Sequence, residues 1–330
     1  MRCKKLLLLY TGGTIGMQMG ADGLAPATGF EARVRAQQAL TPAHERPQWL
    51  FRELLPPIDS ANMAHGHWLA MVAAIRAGVE EDGCDAVLLL QGTDTLAYSA
   101  AALSFLLLGL PVPVLLTGAM LPAGAEGSDA WSNLFGAMDA LQQGLVSGVQ
   151  LYFHGQLLHG ARASKWHSEA FDAFRVLPRQ RHGTAATELP ARLDYRQPRQ
   201  AVNLAVLPLF PGIQAAHLRG LLDSGVQALL LECYGSGTGP AADSELLAAL
   251  HSAHAKGVVL AAISQCPSGH VEFGVYAAGS QFASCGLISG GGMTREAALG
   301  KLFTLLAAGL TQTEVEHWFS LDLCGELLEG

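Results

Sequence analysis

The chain has 330 residues, half of them hydrophobic and 15% charged, with a formal net charge of −8. That balance excludes an intrinsically disordered polypeptide and, without clustered Lys and Arg, a general nucleic-acid binder; the length points to two domains. Six cysteines (Cys3, Cys84, Cys233, Cys266, Cys285 and Cys324) are scattered with no C-x-x-C pair, which points to a reduced, cytoplasmic setting and away from metal-site cysteines.

The opening MRCKKLLLLY mimics the charged end of a signal peptide, but its apolar stretch stops after Tyr10 and no small-residue cleavage site follows. A buried strand is expected there, and no export. Downstream, short apolar runs bounded by turn residues alternate with stretches of helical period, the pattern of a parallel sheet with crossover helices. Leu6–Tyr10, Ala86–Leu90, Val112–Thr117 and Leu151–Phe153 are the expected strands, and Trp68–Gly78, Ser99–Leu108 and Ser132–Gly144 the expected helices. The most membrane-like window, Leu103–Met120, is broken by Pro111 and Pro113. It falls short of the roughly 20 continuous apolar residues that span a bilayer, and reads as a helix end, a turn and a strand, so no membrane contact is expected.

The basic stretch Arg175–Arg181 holds Pro178 and three arginines and reads as a solvated loop. From Gly183 to Arg199 the composition shifts to threonine, proline and charge without apolar period, as in a linker. Beyond it the alternation resumes, with strands over Val202–Leu207, Ala228–Leu231 and Val258–Ile263 and helices over Ile213–Ser224, Ala242–Lys256 and Thr294–Ala308. The expectation is an α/β protein: a larger N-terminal domain over 1–188 with a mostly parallel sheet flanked by helices, a linker over 189–208, and a smaller C-terminal α/β domain over 209–330.

In an open α/β sheet, ligands bind beyond the carboxyl ends of the strands. Four loops there are small and polar: Thr11-Gly12-Gly13-Thr14, Gln91-Gly92-Thr93-Asp94-Thr95, Thr117-Gly118-Ala119-Met120, and the stretch reaching Arg162-Ala163-Ser164-Lys165. A dinucleotide fingerprint would need glycine at Thr11, and a Walker loop would need G-K-[ST], so neither phosphate motif is complete and no cofactor is expected. A threonine hydroxyl becomes a nucleophile when a base takes its proton in a site that excludes bulk water. Thr11 and Thr14 both qualify, and either could instead cap a helix beginning near Ile15. Thr93, Asp94 and Lys165 supply a hydroxyl, a carboxylate and an amine that can relay protons. Equally, Asp94 could cap the helix entering Leu96, with Lys165 a surface charge.

The segments YTGGTIGM, LLLQGTDTLAYSA, LLTGAMLPAG, HGARASK and ECYGSGTGP, with LFPGI at 209–213 and ISGGGMTREAALGKL at 288–302, resemble the bacterial two-domain L-asparaginases of the cytoplasmic type I branch along nearly the whole chain. The resemblance implies that Thr14 attacks the side-chain amide of L-asparagine, that ammonia leaves a β-aspartyl ester on Thr14, and that Thr93, Asp94 and Lys165 relay protons for its hydrolysis. It implies further that Asp59, Ser60, Ala61 and Asp94 hold the substrate's α-groups, that the Ala119 carbonyl meets the amide, and that Gly92 lets that wall come close. The family commonly carries a flap tyrosine that bonds the nucleophile. Here the matching stretch, 21–26, has Leu24 at that position, so the resemblance supplies no tyrosine partner from it, and Tyr10, ending the first strand, is read as core.

The resemblance also implies a homodimer or dimer of dimers and, in some type I enzymes, a regulatory asparagine site near Gly235–Pro240 and Cys266. The histidine pairs His65/His67 and His154/His159 have no third ligand at metal spacing, so no metal is expected. Three rivals remain beside asparagine hydrolysis: a broader asparagine/glutamine amidohydrolase, an asparagine sensor without turnover, and a tRNA-dependent amidotransferase subunit. The last is disfavoured because it carries an extra amino-terminal domain, whereas the first strand here begins at Leu6.

Overall fold

A computed structural model of the chain describes residues 3–20, 23–25, 29–42 and 47–328, apart from the side chains of 19, 20, 24 and 25. It divides into two compact units, Met1–Val176 and Leu177–Gly330.

The first unit contains, in order, β1 (Leu6–Gly12), β2 (Gln18–Gly20), β3 (Gly23–Ala25), α1 (Phe30–Gln38), β4 (Trp49–Ile58), α2 (His65–Glu80), β5 (Ala86–Leu90), α3 (Leu96–Leu106), β6 (Pro113–Thr117), α4 (Ala130–Gln142), β7 (Gly148–Phe153), β8 (Gln156–His159), β9 (Ala163–Lys165) and β10 (Phe174–Val176). Six strands form one sheet in the order β4-β1-β5-β6-β7-β8. All its pairings are parallel except the last, where β8 folds back antiparallel on β7. The expected strands at 6–10, 86–90, 112–117 and 151–153 and the three expected helices are all present, with ends moved by a few residues.

The interior strands are continuous apolar runs because both faces of a parallel sheet are covered. Every residue of β1 and β5 is buried, in a register that pairs Leu6 with Ala86 and Tyr10 with Leu90. On one face Tyr10 stacks on Phe30 at 5.0 Å and Phe30 on Trp131 at 6.1 Å, which ties α1 and α4 to the sheet. Strand β4 has no counterpart among the expected strands. Its sequence, WLFRELLPPI, carries two prolines and two charges, and its edge position makes them tolerable, since an edge strand leaves one row of backbone groups unpaired.

The second unit contains β11 (Thr184–Ala185), β12 (Leu204–Pro208), α5 (Ala215–Asp223), β13 (Ala228–Cys233), α6 (Ser244–Ala255), β14 (Val259–Ser264), α7 (Ala277–Ser284), β15 (Leu287–Ser289), α8 (Arg295–Ala307), α9 (Gln312–Ser320) and β16 (Leu321–Asp322). Strands β12-β13-β14-β15 form a parallel sheet, and β11 pairs with β16. The stretch at 103–120 is the end of α3, a turn and β6, and no helix among the described residues is long and apolar enough to cross a membrane.

In this unit Lys301 is fully buried on α8 and its Nζ donates to Glu326 Oε1 at 2.5 Å and to the carbonyls of Phe319 and Leu321. Burial pushes the Glu326 carboxyl up, but the Lys301 charge and the N–H of Cys324 outweigh it and hold the carboxyl below its usual range. A group depressed in this way stabilises the fold above its unfolded pKa, and the contribution is lost as pH falls through the folded value. Lys301→Met strands a buried carboxylate, and we expect it to lower the unfolding free energy in urea at pH 7 by about 3–5 kcal/mol. A loss below about 1 kcal/mol would show that the pair is not needed.

Candidate active site

Strands β1 and β5 are neighbours, yet the chain leaves β1 for β4 on one side and β5 for β6 on the other. Connections diverging from adjacent parallel strands open a crevice at their carboxyl ends. The small polar loops expected from sequence, 11–14 and 91–95, border it.

Beyond β1 the chain makes a single 3₁₀ turn, Thr14–Gly16, and is extended again at Met17. No α-helix follows for a threonine to cap. Thr11 is fully buried and donates Oγ1 to the Leu90 carbonyl at 2.9 Å, tying β1 to β5. Thr14 is half-buried, and its hydroxyl enters no hydrogen bond among the described residues. Of the two threonines that qualify by type, one is committed to the sheet and the other is not.

The loops meet backbone to backbone. Gly13 has φ +89°, and a Cβ there would lie 2.1 Å from Gly92 N, so both its conformation and its contact require glycine. A Cβ on Gly92 would lie 2.5 Å from Ser60 Oγ and 3.1 Å from Gly13 Cα. The contact draws the loop after β4 into the same cluster. The loop after β6 closes a third side, where Gly118 faces Gln91 O and Thr93 Cγ2.

Thr93, Asp94 and Lys165 come together. Lys165 Nζ donates to Thr93 Oγ1 at 3.0 Å and to Asp94 Oδ1 at 2.7 Å. Thr93 is buried and the Lys165 side chain is 19% exposed, whereas the Asp94 side chain is 63% exposed, so the triplet runs from a dry end to a wet one. Asp94 caps no helix, since the cap position of α3 is Thr95. Lys165 is carried by β9, where it pairs with Phe174 of β10.

Asp59 Oδ1 accepts from Ala61 N at 3.2 Å and opens the turn Ser60–Asn62. Ser60 is buried, and its carbonyl accepts from Thr95 Oγ1 at 2.9 Å, which in turn accepts from Gln91 Nε2 at 3.1 Å. Residue type alone does not single out Gln91 and Thr95 as site residues; their signal is that they flank Gly-Thr-Asp in QGTDT. Ala119 is fully buried in the loop after β6.

Tyr10 lies in the core between Phe30 and Phe51, and burial pushes its phenol up to about 12 against the opposing pull of Arg33. Of the flap stretch, residues 21, 22 and 26 and the side chain of Leu24 lie outside the described residues. The histidines act locally: His67 Nδ1 accepts from Ala64 N at 3.0 Å, His65 packs on Trp68, and His159 Nδ1 accepts from Ala161 N at 3.2 Å. In chemical terms the crevice offers an uncommitted hydroxyl, closely approaching glycine backbone, and an amine joined to a hydroxyl and a carboxylate. That set suits acyl transfer.

Comparison with known proteins bears on the family of the whole chain. The family model described as "Asparaginase, N-terminal" matches residues 5–197, and that described as "Glutaminase/Asparaginase C-terminal domain" matches residues 203–319. The chain is 35% identical over 340 residues to L-asparaginase 1 of Escherichia coli (strain K12), covering 99% of each. It is 34% identical to the human 60 kDa lysophospholipase over 98% of this chain and 61% of that protein. Among solved structures, L-asparaginase I of Vibrio cholerae O1 superposes with a TM-score of 0.86 at 33% identity, covering 99% of both chains.

The different commitments of the two threonines can be measured. Thr11→Val removes a buried donor from the Leu90 carbonyl and should lower the unfolding free energy by about 1–3 kcal/mol. Thr14→Val should change it by no more than about 0.5 kcal/mol. Equal losses in urea titrations would contradict this division.

Proposed function

The chain belongs to the asparaginase family, and from that premise we propose that it is an L-asparaginase, an amidohydrolase that converts L-asparagine to L-aspartate and ammonia through an ester on Thr14. The observation that carries the proposal is the Lys165 ammonium held on both Thr93 and Asp94, beside the glycine contact that brings the Thr14 turn to the same crevice.

In the first half-reaction Thr14 Oγ1 bonds to the side-chain carbonyl carbon. The hydroxyl proton passes to the amide nitrogen, the C–N bond breaks, and ammonia leaves. In the second, water adds to the ester carbon, the C–Oγ1 bond breaks, and the proton lost by water restores the Thr14 hydroxyl. Thr93, Lys165 and Asp94 are proposed to carry protons in these steps. A buried hydroxyl bonded to a lysine whose other partner is exposed suits transfer between a dry centre and solvent.

Asp59 and Asp94 supply negative charge for the substrate's α-ammonium, and Ser60 with Ala61 would bind its α-carboxylate. Gly92 admits the substrate close to the wall, and the Ala119 carbonyl would accept from the amide NH₂. No cofactor enters these steps. The proposal extends to a homodimer or dimer of dimers in the cytoplasm, in keeping with six free thiols.

Ammonia release from asparagine and glutamine, measured side by side, is the test. Asparagine should be the better substrate; comparable rates would favour a broader amidohydrolase, and binding without ammonia a sensor. Thr14→Ala should lower asparagine turnover by about 10³-fold or more, and Lys165→Met by about 10²–10⁴-fold, with folding intact. Near-parental turnover by Thr14→Ala would falsify the threonyl route.

A further inference from the structure

Asp129 stands at the cap position of α4 but makes no side-chain bond to that helix's first free N–H groups. An aspartate there ordinarily accepts from them. Here Ser128 Oγ takes the Ala130 N–H at 3.1 Å, and the Asp129 carboxylate turns instead to the loop after β6. It accepts from Met120 N at 3.0 Å through both oxygens and from Leu121 N at 3.0 Å. Asn133, one turn along α4, is buried; its Nδ2 donates to Asp129 Oδ2 and to the Gly118 carbonyl, both at 3.0 Å, while its Oδ1 accepts from His154 N at 2.9 Å. Two side chains thereby grip the peptide groups on both sides of Ala119.

The geometry has a directional consequence. Met120 N–H and Ala119 C=O belong to one peptide unit, and among the described residues the sole cis bond is Leu55–Pro56. In a trans unit the two groups point in opposite directions. The N–H is aimed at Asp129, so the Ala119 carbonyl is aimed away from it. A carboxylate on the N–H end also pushes electron density toward the oxygen, as linked hydrogen bonds polarise one another. Ala119 O accepts no hydrogen bond from within the described residues.

We infer that Asp129 is a positioning residue that orients and polarises the Ala119 carbonyl as the acceptor for the N–H groups of the scissile amide. This deepens the proposed function and rests on its placing of Ala119 against the amide. The role is specific to the leaving group. An amide donates to that carbonyl as it departs, whereas an ester with the same acyl part has no N–H to donate.

The test compares L-asparagine with L-aspartate β-methyl ester on the parent enzyme and on Asp129→Asn. The expected result is a fall in kcat/KM for the amide roughly tenfold or more greater than that for the ester, the size of replacing one charge-assisted bond by a neutral one. Asp129→Glu, which keeps the charge, should restore most of the parental amide-to-ester ratio. Equal losses on both substrates, the outcome of a merely structural role, would overturn the inference while leaving the proposed function standing. If the parent releases no ammonia from asparagine, the proposed function falls and this inference with it. Should Asp129→Asn not accumulate as folded protein, Asp129→Ser takes its place: a selective loss on the amide supports the inference, and equal losses overturn it.

Discussion

Two adjacent parallel strands whose connections depart in opposite directions leave a gap that no crossover helix covers, and everything proposed for this protein is arranged around that gap. Sheet order does this before any side chain is considered. β1 must run to the edge strand β4, and β5 must run the other way to β6, so the turns that follow them are kept apart at their far ends and pressed together at their near ends. The pressing is visible in Gly13 against Gly92 and in the Thr11 hydroxyl bridging to Leu90. Core and site are therefore one construction: the all-apolar runs that make the strands rigid also fix where their polar turns emerge.

The groups around the crevice fall into those that hold the loops and those left available. Thr11, Thr95, Asp129 and Asn133 commit their side-chain hydrogen bonds to backbone of neighbouring loops or to side chains beside them. Thr14 does not. A buried polar network of this kind is stable only when its members are satisfied, and that demand makes a rigid frame around the uncommitted Thr14 hydroxyl. The Lys165 pair contributes little to folding, because half of it is solvated; the role proposed for it lies in where it holds a proton.

Much of this was legible in the chain. Leu6–Tyr10 and Ala86–Leu90 announce buried parallel strands by their lack of polar alternation, and glycine-rich turns at their ends mark the crevice. β4 was not legible, since Pro56, Pro57, Arg52 and Glu53 read as loop until the strand is seen at an edge. Nor was α9, a short polar helix, although Thr311 and Glu314 form the reciprocal cap that marks its start. The choice between Thr11 and Thr14 could not be made from the residues alone: it depends on a carbonyl 79 positions away. Asp129 escaped notice for a similar reason, because its departure from helix capping shows only in three dimensions.

The glycine contact also bears on how this loop pair could change over many generations. Most tight contacts in a protein core can drift, one side chain growing as its neighbour shrinks. Gly13 and Gly92 have already reached the smallest side chain available, so neither can yield room to the other. A side chain at Gly13 would meet the backbone of Gln91 and Gly92, which no partner substitution removes, and that position is withdrawn from the supply of neutral variation on which the surrounding loops can draw.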